Sequence, residues 1–273
     1  MNYKKLLQES VLRGYGVLHS LTNLLYKFRH ENYGKFPGRR EKMEFGEAAT
    51  EIIYCFWTDE NEMSQNRKNN LGETIKNVGV PVVLVTPNNL KNYIKAGFPL
   101  HPAYPYLSAV HKSDYLRCYF MHHWGGGYTD IKMQTQNWSK SFKNLNSSLD
   151  KIAVSYKEVY WGASKIENTS NDSKIDALNK DLYHHYGYLL GICSFIFKPY
   201  SSFTRDWITE VNKRLDDNLE KLKQNPGNIW GNNEGYPLPW TFILGQIYHP
   251  LCLKYHKFLL KDNRLKPSFT DYR

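Results

Sequence analysis

The sequence predicts an α/β protein with a mostly parallel central sheet. From Glu51 onward, short apolar runs and helix-like stretches alternate in the order strand, helix, strand, helix, the start of a parallel sheet. The runs are apolar throughout, as in strands covered by helices on both faces. At 273 residues, 41% hydrophobic and 23% charged, the chain is long enough for one large domain with its own core. This composition excludes a disordered tail and a collagen-like repeat.

Each element has a local reason. Ile52 to Trp57 is a buried strand, Glu62 to Val78 a helix closed by Gly79, and Pro81 to Thr86 a second buried strand closed by Pro87. Asn88 to Ala96 reads as a short helix. Ser108 to His123 runs without Gly or Pro and reads as a helix, stopped by Gly125-Gly126-Gly127, whose open backbone angles suit a turn. Tyr128 to Lys132 follows as a strand end. The polar stretch 162–182 reads as a mobile loop. Ile192 to Phe197 is a strand. Thr204 to Gln224 is an amphipathic helix with Trp207, Val211, Leu215, Leu219 and Leu222 on one face, ended by Asn225-Pro226-Gly227.

Two regions are expected: a head over 1–45 and the α/β domain over 46–273. In the head, Leu7, Val11, Gly14, Leu18, Leu21, Leu25 and Phe28 recur with helical spacing. The head carries nine Lys/Arg against four Glu, half of the net charge of +10. A basic amphipathic helix suits an anionic membrane surface, or packs on the domain or on a second subunit. No stretch is long and apolar enough for a membrane span. The expected location is cytoplasmic, with peripheral attachment to the inner face of a membrane.

Cys55, Cys118, Cys193 and Cys252 form no CxxC pair and sit among apolar neighbours. They read as buried free thiols, not a zinc site. The basic charge points to a polyanionic or phosphorylated partner. No recognition motif of the usual nucleic-acid folds is present, so nucleic acid is not an expected partner. Aromatics, at 15% with 21 Tyr and 7 Trp, suit stacking on bases or sugars as well as a Tyr-rich core. His122-His123 and His184-His185 are adjacent pairs whose rings point apart on a helix, so they read as one buried and one solvated ring each.

The segment with the most chemistry runs from Ser113-Asp114-Tyr115-Leu116-Arg117 to Gly125-Gly126-Gly127-Tyr128-Thr129-Asp130-Ile131-Lys132. Asp114 and Arg117 share one helix face; as a surface pair they would contribute under about 1 kcal/mol. Asp130 follows a Gly turn at a strand end, where α/β sheets present carboxylates to a ligand crevice.

Ser-Asp-x-x-Arg followed by Gly-Gly-x-Tyr-x-Asp resembles the sugar-binding region of glycosyltransferase family 32, the DXD-type and capsular-polysaccharide transferases. Phe56-Trp57-Thr58 with Met63-Ser64 and Arg67 resembles the family's first strand and loop. Gly235-Tyr236-Pro237-Leu238-Pro239-Trp240-Thr241, continuing to Pro250, resembles its closing segment. The likeness spans roughly residues 50–255.

The resemblance implies a GT-A-like domain that transfers a sugar, with retention, from a nucleotide-sugar donor, UDP-linked by expectation. The acceptor would be a glycan or lipid-linked glycan in capsular or surface polysaccharide synthesis. Trp57 would stack on the base, unless it is a core residue, with Thr58 and Arg67 beside it. Asp114 and Arg117 would bond the donor sugar, the planar guanidinium giving directional donors. Gly126 and Gly127 would let backbone approach the ligand, with Tyr128 beside them. Asn233, Glu234 and Tyr236 would fold over the donor, on a loop that otherwise simply connects helices.

Asp130 matches the first Asp of the DXD motif, and Lys132 replaces the second. A protonated Lys cannot ligate a cation. Either Lys132 neutralises the leaving diphosphate itself, or Mn2+ or Mg2+ binds through Asp130 and a downstream group among Asn232, Asn233, Glu234 and His249. Asp130 and Lys132 are the expected catalytic pair, with metal independence favoured. A transferase-like protein that binds glycan or nucleotide without turnover is the alternative.

Overall fold

The computed structural model describes residues 26–271. The helical periodicity of the head lies mostly outside the described residues. A short helical turn, α1 (Lys35–Gly38), precedes β1 (Ile53–Phe56), α2 (Gln65–Asn77), β2 (Val82–Val85), α3 (Ala109–His123) and β3 (Gly126–Thr129). Then come α4 (Ser139–Ser147), β4 (Ala153–Lys157), α5 (Ser173–His184), β5 (Leu190–Phe197), α6 (Ser202–Asp216), α7 (Leu219–Gln224), α8 (Gly245–Lys254) and β6 (Leu259–Lys261).

The sheet order is β2-β1-β3-β5-β4-β6. β1 pairs in parallel with β2 and β3, and β4 with β6. β5 is antiparallel to both β3 and β4, so five of the six strands run one way. This is the expected mostly parallel α/β architecture. The ends of β1, β3 and β4 therefore deliver their following loops to the same edge of the sheet.

Polar caps start the helices. Ser64, Ser108, Asp172 and Ser201 each accept a backbone N–H of the first turn, satisfying an otherwise unpaired donor. The core is aromatic: Phe195, Phe197, Phe203, Trp207 and Tyr248 pack mutually with centroid separations of 4.9–6.1 Å. Residues 26–45 lie against this body. Tyr33 is buried, its hydroxyl donating to Asp181 at 2.5 Å, and Arg205 pairs with Glu41 and Glu44.

Three expectations change. Asn88 to Ala96 forms only a 3-10 turn, Leu90–Tyr93. The stretch 162–182 contains most of α5, whose Leu178 and Leu182 are buried; the polar run before it supplies its Asp172 cap. The helix expected over 204–224 breaks into α6 and α7 at Asn218, whose side-chain amide donates to the Arg214 carbonyl, a local bond that competes with the helix.

Candidate functional site

α3 runs from the C-terminal edge of the sheet back to its N-terminal edge, and the Gly125 turn returns the chain along β3. Asp114 and Arg117 on α3 thus face the residue that follows β3, Asp130. The Asp130 N–H donates to the Cys193 carbonyl at 2.7 Å, extending the β3–β5 ladder by one residue. The Lys132 N–H then donates to the Asp130 carbonyl at 2.7 Å, a three-residue turn that folds the lysine back over its neighbour.

Both oxygens of Asp130 are engaged. Oδ1 accepts from the Tyr128 hydroxyl at 2.6 Å and lies 3.0 Å from Arg117. Oδ2 lies 2.6 Å from Lys132 Nζ, which also donates to Cys193 Sγ at 3.2 Å. Arg117 reaches Asp114 at 3.5 Å, donates to the Ile192 carbonyl at 3.3 Å, and covers the Tyr128 ring at 4.6 Å. Asp114 and Arg117 are buried, so they form part of a connected charge network and not a surface pair.

The electrostatics follow from this packing. Burial works to raise the Asp130 pKa, but Arg117 and then Lys132 outweigh it and hold the carboxyl well below the usual range. Burial likewise works against the Lys132 charge, yet Asp130 pushes its pKa up to about 12. Asp114 is pushed up to about 7, mainly by burial, against the pull of Arg117. Two cations thus face one fixed carboxylate, and Asp114 sets whether one net positive charge remains. Such a site suits an anionic group.

Trp57 and Thr58 follow β1 at the same edge. Arg67 lies 5.7 Å over the Trp57 ring and reaches the Ile131 carbonyl at 3.4 Å, placing Trp57 beside the Asp130 turn. The Thr58 hydroxyl donates to the Ala109 carbonyl at 2.6 Å, tying β1 to the start of α3. Tyr236 also docks there: its hydroxyl lies 2.8 Å from His111 Nδ1 and accepts the Ser108 N–H at 3.2 Å. Burial lowers the His111 pKa to about 4, so the ring is neutral at pH 7. Its Nε2 lies 3.2 Å from the Pro239 carbonyl, which assigns the proton to Nε2, leaving Nδ1 to accept from Tyr236.

The placement of five further expected site residues differs from that cluster. Gly126 and Gly127 lie at the start of β3, the edge away from Asp130. A Cβ on Gly126, at φ +90, would lie 2.8 Å from the Ile52 carbonyl oxygen. A Cβ on Gly127 would meet Ile53 at 2.9 Å and Trp138 at 3.3 Å. Both glycines serve sheet packing, not close approach to a ligand. Tyr128 is buried against Phe56 and Phe195, and only its hydroxyl reaches the site, at Asp130 Oδ1. Asn233 bonds within its own loop, to the Asn228 N–H at 3.0 Å and the Pro226 carbonyl at 3.0 Å. Glu234 is exposed on that loop.

The donor set does not fit a divalent cation. Asp130 has a cationic partner on each oxygen, and Arg117 also faces Asp114. Asn232 bonds Asn228 within the loop at 2.8 Å, and buried His249 accepts the Ser164 N–H at 2.9 Å. Among the described residues no three His, Cys, Asp or Glu side chains group as metal ligands. His111, Cys193 and Phe269, whose ring lies 5.2 Å from Lys132 Nζ, are site neighbours the motif reading missed. Cys193 and Phe269 carry no spacing signal, because the fold alone brings them to the site, whereas His111 lies one helix turn before Asp114, a spacing that could have found it.

No protein-family model matches the chain, and no curated protein matches it. The likeness to glycosyltransferase family 32 therefore rests on the motifs alone. A solved structure named "PaToxG Glycosyltransferase" is similar at 11% identity, over 81% of this chain and 76% of that one, with a TM-score of 0.36. Among the described residues no helix is long and apolar enough to cross a membrane.

Proposed function

We propose that this protein is a nucleotide-sugar-dependent glycosyltransferase whose Lys132 takes the place of a metal at the leaving diphosphate. The observation that carries this reading is the clamping of Asp130 between Arg117 and Lys132 at the C-terminal edge of β3, with Asp114 in the same network. A fixed ammonium, held charged by its neighbours, stabilises charge that develops on a leaving phosphate. Asp114 and Arg117 would bond the donor sugar, and Trp57, with Arg67 on one face, would stack the base.

The donor would be UDP-linked and the transfer retaining. The anomeric carbon–phosphate oxygen bond breaks, the acceptor oxygen bonds the same face of that carbon, and the acceptor proton passes to the leaving phosphate oxygen. The acceptor would be a glycan or lipid-linked glycan of a surface polysaccharide. The basic head would hold the enzyme on an anionic membrane face, a role tested by vesicle binding with and without residues 1–45.

Thermal unfolding with UDP, GDP and CMP, each in Mn2+ and in EDTA, tests the donor site. Ligand at about 100 times its dissociation constant adds about 2.7 kcal/mol. A shift with one nucleotide that survives EDTA is the expected result. A shift that requires Mn2+ overturns the role of Lys132, and binding with neither donor hydrolysis nor sugar transfer leaves a non-catalytic binding protein.

A further inference from the structure

Three large indoles stand in solvent at the edge that carries the site: Trp161 is 70% exposed, Trp230 49% and Trp240 58%. Contacts of their chain neighbours fix where they stand. Trp161 lies in the loop that follows β4. Three residues on, Ser164 donates its N–H to His249 on α8, and a Cβ on Gly245 would lie 2.0 Å from Ser164 Oγ. Trp240 adjoins Pro239, whose carbonyl meets His111 one turn from Asp114. Trp230 adjoins Ile229, whose carbonyl accepts the Val110 N–H at 3.3 Å. The 159–164 and 226–245 loops therefore form one rim, touching at Ser164 and Gly245 and fastened to the first turn of α3.

The rim is nearly free of charge in a strongly basic chain. From Asn225 to Tyr248 the single ionic side chain is Glu234, and from Val159 to Ser164 there is none. An anionic lipid surface or an acidic peptide finds few basic partners there: Lys165, exposed beside Ser164, and Arg214, which is turned to the Phe242 carbonyl at 2.6 Å. Exposed indoles on an uncharged rim match ligands that present flat, weakly polar C–H faces between hydroxyls. We propose that Trp161, Trp230 and Trp240 form the acceptor subsite for a neutral saccharide chain of several sugar units. This extends the transferase reading from donor to acceptor and rests on that reading only for the word acceptor; the saccharide surface stands by itself.

Tryptophan-to-alanine variants at the three positions, single and combined, test the surface. Each keeps the backbone bonds that place the loops. The probes are neutral gluco-, manno-, galacto- and N-acetylhexosamine oligosaccharides, from one to six units, followed by quenching of tryptophan fluorescence and by acceptor kinetics. Binding by the unmodified protein should tighten with chain length. Each variant should lose about tenfold in saccharide affinity or acceptor KM, about 1.4 kcal/mol, with nucleotide binding and donor hydrolysis unchanged. Failure of every oligosaccharide to bind at millimolar concentration overturns the proposal, as does undiminished binding in the triple variant. Indole-dependent binding of anionic vesicles in preference to saccharide overturns it as well. Saccharide binding lost in the variants, in a protein that binds no nucleotide, supports the surface and refutes the transferase. Sugar transfer with an acceptor KM unmoved by the variants does the reverse.

Discussion

Lys132 Nζ lies 2.6 Å from Asp130 Oδ2, two residues away along the chain, so the two side chains that leave the end of β3 are bound to each other. Arg117 holds the other oxygen. The result is a carboxylate fixed in place and an ammonium whose charge that carboxylate secures against the cost of burial. Placing a second acid at position 132 should therefore change how the site takes an anion.

In Lys132→Asp the ammonium is replaced by a carboxylate next to Asp130. Nucleotide binding should then require Mn2+ and vanish in EDTA, whereas the unmodified protein should bind in both. In Lys132→Met, turnover should fall about 100- to 1000-fold, as on loss of a preorganised charge-stabilising group. Calorimetric titration with and without Mn2+ reads the first outcome and donor turnover the second. Metal-independent binding by Lys132→Asp would show that the lysine is not the group that meets the phosphate.

Asp114 links the same network to pH. Its folded pKa, near 7, lies above the ordinary carboxyl value near 4 because the group is buried. The folded state therefore favours the protonated acid. The stability this gives is fully present below about pH 4 and is lost as pH rises toward 7. Asp114→Asn, which cannot ionise, should lack that loss. The stability difference between variant and unmodified protein should move in the variant's favour from pH 4 to 7, by a few kcal/mol at most, and level off above. Urea unfolding across this range measures it. A difference independent of pH would mean that Asp114 is ionised throughout.

Much of the fold was legible because it rests on local signals. The apolar runs at β1 and β2, the Ser108 cap and the Gly125 stop mark their elements within a few residues. β4 and β6 carry weaker patterns and gain their identity from pairing with β5 and with each other, which no local window records. The site was legible in part. Asp114, Arg117, Asp130 and Lys132 lie within one short segment, so helix spacing and the strand end place them together. Cys193 meets that segment only through β5 and Phe269 only through the stretch after β6, whereas His111 shares α3 with Asp114 and Tyr236 was legible from the closing motif. The glycines misled because Gly-Gly before a strand fits both a ligand approach and a packing requirement, and only the carbonyls of Thr50 and Ile52 decide between them.

Gly126 provides a test of that decision. With φ at +90 and the Ile52 and Thr50 carbonyl oxygens 2.8 and 3.0 Å from a notional Cβ, alanine there meets backbone atoms that cannot turn aside. Gly126→Ala should destabilise the fold by about 1–3 kcal/mol or more, and should do so equally with and without nucleotide. Thermal unfolding with both samples side by side settles it. A variant of normal stability with impaired nucleotide binding would return Gly126 to the ligand.

Phe269 is the remaining neighbour of the lysine. The segment that bears it crosses the sheet edge, with the Ser268 N–H donating to the Met133 carbonyl at 2.9 Å and Asn70 donating to the Asp271 carbonyl at 3.2 Å. The ring lies 5.2 Å from Lys132 Nζ and is 48% exposed, so it restrains the ammonium without being part of the core. A cation–π contact of this exposure is worth about 0.5–1 kcal/mol. Phe269→Ala should weaken nucleotide binding by about two- to fivefold, the same energy expressed as affinity, and leave the unfolding temperature within a degree or two. Phe269→Leu, which restores bulk without the ring quadrupole, should not recover the lost affinity. Full recovery by leucine would make the contact one of packing alone, and an unchanged affinity in the alanine variant would remove Phe269 from the site.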